Sequence, residues 1–124
     1  MTDLEAINQY LAAARYLDYM RSAKIPAVFD RDPVTRERYR AIMQRGIESA
    51  EAVMDQAVQA IKRLPRPEWR EIMANRFMLG LFIFETADAI AYSNRSVYRF
   101  EQQAVEYLET GKEPSRRGRA AEGP

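Results

Sequence analysis

The sequence predicts an all-α fold. A two-helix N-terminal arm, built on one long coiled-coil-like helix, leads into a three-helix head of the helix-turn-helix kind. Three observations carry this. Apolar residues recur at helical spacing from the first turn to residue 108, and no stretch alternates with the period of a strand. Two Asp/Arg-Pro steps, Asp32-Pro33 and Arg66-Pro67, mark helix starts. A stretch of 32 residues, Pro33–Leu64, holds no further proline.

The first helix is expected from Asp3 to Ser22. Thr2 and Glu5 fit the capping-box pattern, and Leu4, Ile7, Leu11, Ala14 and Leu17 form one apolar stripe. Lys24–Arg31 contains Pro26 and reads as a loop. From Asp32-Pro33 a long helix runs to Leu64. Its residues Met43, Ile47, Ala50, Met54, Ala57, Ile61 and Leu64 alternate in steps of four and three, a heptad seam. At 1.5 Å per residue this helix is roughly 45 Å long, and its seam needs a partner. The first helix and a second copy of the chain are the two candidates. Because a 20-residue helix spans only roughly 30 Å, self-association through the residual seam is expected.

Pro67 opens a new helix with Glu68 and Glu71 near its start and Trp69, Ile72, Met73, Arg76 and Phe77 on one face; Gly80 is its expected stop. Ile83–Ala91 is a short helix, Tyr92-Ser93 a turn, and Asn94–Thr110 a final helix capped by Ser93 and ended by Gly111. Trp69, Phe77, Phe82 and Phe84 are expected in the core. Residues 111–124 hold nothing to bury and are expected to be a disordered basic tail. The domains are thus 1–64, 65–110 and the tail at 111–124.

Composition excludes much chemistry. The chain has no Cys and no His, so disulfides, thiolate catalysis, His-based triads and Cys/His zinc sites are ruled out. Glu48, Glu51 and Asp55 share a helix face but lack the histidines a di-metal bundle site requires. No cofactor, metal or enzyme activity is expected. The longest apolar run, residues 77–84, is far short of the ~20 residues a membrane span needs. The first residues carry an early acidic pair and no basic segment, so a signal peptide is not expected and the location predicted is cytoplasmic.

The last three helices carry the informative arrangement. Ala87 can be the small contact residue, Ala91-Tyr92-Ser93 the turn, and Ile90, Val97 and Phe100 the apolar lock of a helix-turn-helix. That leaves Asn94, Arg95, Ser96 and Arg99 on the outer start of the last helix, residue types able to bond base edges and phosphates. Charge runs the other way. Residues 65–109 hold five basic and seven acidic side chains, so modest affinity is expected, with help from clustering, the tail or a dimer. The run Arg36, Arg38, Arg40 and Arg45 reads as a solvated helix end able to touch phosphates.

The stretch from Ile61 through Leu64-Pro65 and Arg76-Phe77 to Leu108 resembles the fourth conserved region of bacterial sigma factors. Thr86 and Ala87 fall on that region's isoleucine/small pair, Ser93 on its capping threonine, and Ala104 and Leu108 on its alanine and leucine. The whole chain resembles the RinA/ArpU-like phage transcriptional regulators. Tyr98, Phe84 and Tyr92 depart from the sigma pattern. The resemblance implies a sequence-specific DNA-binding regulator of phage or prophage genes. It places Asn94, Arg95, Ser96 and Arg99 where the family reads promoter DNA and Arg76 in support of a backbone contact. Double-stranded DNA is the implied partner, RNA polymerase a further candidate, a homo-oligomer the expected state, and no membrane is involved. The alternative is a helical phage assembly or packaging protein of the small-terminase type, in which the helix-turn-helix only packs.

Overall fold

The computed structural model describes residues 1–114. The fold is all-α: α1 Asp3–Ser22, α2 Ala27–Asp30, α3 Pro33–Lys62, α4 Pro67–Met73 running into a π-helical turn Ala74–Met78, α5 Ile83–Ile90 and α6 Asn94–Thr110. No strand occurs among the described residues.

Helix starts follow local chemistry. Thr2 Oγ1 accepts from the Glu5 N–H at 3.1 Å. Asp32 accepts from the N–H groups of Val34 and Thr35 and, at 2.7 Å, from the Thr35 hydroxyl. These bonds from Thr35 and Val34 hold the Asp32 carboxyl below its usual range. The loop expected over Lys24–Arg31 contains one helical turn, α2. Pro26 presets its start, its carbonyl accepts from Phe29 and Asp30, and Phe29 stacks on Tyr39 of α3 with ring centroids 5.2 Å apart. An aromatic ring docked on α3 makes a turn where the sequence offered only a proline break.

α1 folds back antiparallel on α3. Asp3 meets Gln56 and Arg63 at one end, and Tyr16 lies over Gly46 further along. The Gln56 amide, and then Arg63, hold the Asp3 carboxyl below its usual range. Every seam residue from Met43 to Leu64 is buried or half-buried within this one chain. No seam residue is left fully exposed, but Met43 and Ile47, with Ile25, line an open groove near the tip of the hairpin. α1 covers its middle, and the head covers Ile61 and Leu64.

The main core joins Ala6, Ile7, Ala57, Ile61, Leu64, Trp69, Met73 and Ala104, drawn from α1, α3, the link after α3, α4 and α6. It crosses the expected boundary at residues 64 and 65, so arm and head share one interior. Trp69 is fully buried and donates from Nε1 to Gln103 Oε1 at 3.2 Å. Tyr107 packs against its ring, and the Arg66 guanidinium lies 5.0 Å from its centroid. Phe77 packs against this core, as expected. Phe82 and Phe84 do not: they are 65% and 62% exposed and stack on each other outside it. They flank Ile83, which turns inward, and alternation around a helix start puts its neighbours outward.

Of the tail expected from Gly111, residues 111–114 are described. Gly111 ends α6 with φ +73°, and Glu113 pairs with Arg66 at 3.3 Å. The remainder of the expected disordered tail, residues 115–124, lies outside the described residues.

Candidate nucleic-acid interface

α5 and α6 are joined by a short turn, and a small second core fixes how they meet. Ile72, Ala87 and Val97 are buried together, with Ile83, Ile90 and Phe100 packed on them. These include the small contact residue and all three lock residues expected from the sequence.

The turn depends on Ala91, which ends α5 in the left-handed region at φ 58°, ψ 40°. An L-residue with a Cβ pays there, by roughly 1–2 kcal/mol. Ala91→Gly is therefore expected to stabilise the fold by up to about 1 kcal/mol, after glycine's larger unfolded-state entropy is subtracted. Urea unfolding followed by circular dichroism reads the shift. A loss of stability would show that the Ala91 methyl packs usefully.

At the start of α5 the Glu85 carboxylate accepts from the Phe82 N–H at 2.9 Å. One turn on, Thr86 is fully buried, and its Oγ1 has no hydrogen-bond partner among the described residues. A buried hydroxyl without a partner costs about 1–3 kcal/mol. Thr86→Val keeps the shape and removes the hydroxyl, so it should raise stability by about 1 kcal/mol. A lower urea midpoint would mean that the hydroxyl is satisfied in solution.

Ser93 caps α6. Its Oγ accepts from the Ser96 N–H at 3.1 Å and donates to Ser96 Oγ at 2.9 Å. This fixes Ser96 as part of the cap. It is 5% exposed and does not stand on the outer face where the sequence expectation put it. A polar residue three positions past a capping serine folds back on the cap. Asn94 and Arg95 are exposed. Arg99 is half-buried, with its guanidinium 6.0 Å from the Phe100 ring centroid.

Arg76, expected to support a backbone contact, is bonded within the head. Its Nε lies 2.6 Å from Glu101 Oε1, and its Nη1 donates to Leu81 O at 2.7 Å. Glu101 is 7% exposed. The guanidinium thus ties the π-helical turn and the Gly80 corner to α6. Two of its five N–H donors are thus engaged inside the head, and the side chain keeps partial contact with water.

The exposed stripe of α6 is Arg95, Tyr98, Gln102, Glu106 and Glu109, spaced three and four apart. Tyr98 and Gln102 were not singled out as contact residues from sequence. The signal that finds them is the burial of Val97, Glu101 and Ala104, which leaves their i+1 neighbours or the opposite face to solvent. Charge along α6 is segregated. Its first two turns carry Arg95 and Arg99 and no acid. Glu101 is paired, and Glu106 and Glu109 lie beyond it. From Arg95 to Glu106 is about 16 Å along the helix, twice the ~8 Å screening length at physiological salt. An open groove beside Asn94 is lined by Phe84, Ala87, Asp88 and Tyr92.

Among the described residues no three carboxylates converge as a metal site, and no helix is long and apolar enough to cross a membrane. No protein-family model, curated protein or solved structure matches the chain. The class defined by the coordinates is therefore an all-α fold with a paired α5–α6 head.

Proposed function

We propose that the chain binds double-stranded DNA through the first two turns of α6 and acts as a sequence-specific transcription regulator, of the phage or prophage type its sequence resembles. One observation carries the reading. The first two turns of α6 form an exposed helix end whose outer face carries no acid: Asn94, Arg95 and Tyr98 face solvent, Gln102 follows in the third turn, and the opposite face is locked onto α4 and α5. The helix dipole adds positive potential at that same end. Arg95 and Gln102 have side chains that bond guanine and adenine edges, and Asn94 is suited to a base or a phosphate. In this reading α5, the Ala91 turn and α6 act as a helix-turn-helix. RNA polymerase remains the further partner that the sigma-like resemblance suggests, with the arm as its docking surface. Asp88 beside Asn94 and the head's net −2 charge keep the expected affinity modest.

A second reading, the helical assembly or packaging protein, is favoured by one feature: Phe82 and Phe84 stack on each other exposed on the head, and Leu79 nearby in sequence is exposed as well, apolar surface of the kind a protein partner covers. Selection of bound sequences from a random duplex pool separates the two. An enriched motif supports the regulator. No enrichment, together with a ring-sized oligomer, supports the assembly protein.

A further inference from the structure

The outer face of α3 carries a second repeat, opposite the buried seam. Arg38, Ala41, Arg45, Glu48, Ala52 and Asp55 recur in steps of three and four, and all six are exposed. The order is basic, small, basic, acidic, small, acidic. It is symmetric about the point midway between Gly46 and Ile47: Arg38 and Asp55 are equidistant from it, as are Ala41 and Ala52, and Arg45 and Glu48. Among the described residues none of these four charged side chains is in an ion pair; Glu48 accepts only from the Gln44 amide, at 3.1 Å.

The polarity extends to the whole hairpin. Residues 15–45, towards its tip, carry eight basic and four acidic side chains. Residues 1–14 and 46–64, towards the head, carry five acidic and two basic. A basic tip and an acidic base on the same rod are complementary to a second rod laid the other way round.

We infer that this face is the docking surface for a second copy of the chain, in an antiparallel two-fold pair along α3. Laid across the midpoint, Arg38 faces the partner's Asp55, Arg45 faces the partner's Glu48, and Ala41 faces the partner's Ala52. The two-fold axis repeats each pairing, so both copies use the same surface and the assembly closes at two. The alanines let the helix backbones approach, and the exposed Ile42 beside Ala41 gains cover. The charges set the direction: a parallel pair would put Arg38 on Arg38 and Asp55 on Asp55. This pairing uses the face opposite the seam, and it is independent of what α6 binds. It stands the two heads at opposite ends of the paired helices, about 50 Å apart from residue 64 to its counterpart.

The absence of cysteine makes the test clean. Ala41→Cys and Ala52→Cys chains are mixed and oxidised. The mixture should give a disulfide-linked dimer, and each variant alone should give little. Crosslinking of either variant alone as efficiently as the mixture would indicate a parallel or unrelated contact and overturn the inference. Light scattering supplies the second arm. Arg38→Glu/Arg45→Glu and Glu48→Arg/Asp55→Arg chains, checked for helicity, should each be monomers and should recover a dimer when mixed in equal amounts. A monomeric parent at the highest concentration reached, or reversed-charge chains that each remain dimeric, would overturn it.

Discussion

Trp69→Ala is expected to cost about 3–5 kcal/mol, a large fraction of the stability of a domain that holds only about 5–15 kcal/mol in all. The indole is fully buried where α1, α3, α4 and α6 meet. Truncation leaves a cavity walled by four helices, and such walls relax only in part. It also removes the Nε1 bond to Gln103, the Arg66 stacking contact and the packing of Tyr107. Since one core serves arm and head, both should melt together in a single urea transition. Trp69→Phe should retain much of the packing and cost distinctly less. Two separate transitions in the parent, with only the later one moved by Trp69→Ala, would show that arm and head fold independently.

Removing Glu101 is the second large effect. Glu101→Ala leaves the Arg76 guanidinium in the head with its nearest charge gone. Breaking a buried pair from one side costs about 3–5 kcal/mol, and the lower end applies because Arg76 keeps partial contact with water and its bond to Leu81 O. Replacing both partners with apolar residues of similar size, as Arg76→Met with Glu101→Leu, should recover much of the loss. The same pair separates two roles for Arg76. If it only ties the π-helical turn to α6, the double variant should bind DNA with an unchanged salt slope. If it met a phosphate, the slope would fall by about one. An unchanged urea midpoint in Glu101→Ala would show that the pair does not hold the head.

Helix boundaries were legible in the sequence because they are set by neighbours in the chain. Thr2, the Asp32-Pro33 step, Pro67, Ser93 and Gly111 each act on backbone groups within one turn, and each marks its helix in the structure. The α5–α6 lock was legible for the same reason, since Ala87, Ile90, Val97 and Phe100 keep fixed offsets around one turn. What depends on distant contacts was not. The near-continuous apolar run from Phe77 to Phe84 has no periodicity to say that Phe77 packs inward while Phe82 and Phe84 face out. Arg76 meets Glu101 across 25 positions, and no local rule reports that. Ser96 reads as an exposed polar residue until its bonds to Ser93 are seen.

If the exposed start of α6 reads DNA, replacing Arg95 with alanine must change how the chain binds it. Arg95 stands in the first turn of the helix, exposed and free of any neighbouring acid on α6. Parent and variant, both checked for helicity, are titrated by fluorescence anisotropy against the selected duplex and a scrambled one across a salt series. The parent should prefer the selected duplex, and Arg95→Ala should lose about 1–3 kcal/mol of that preference, relaxing specificity at one base pair. A folded variant that binds the selected duplex as tightly and as selectively as the parent would contradict it.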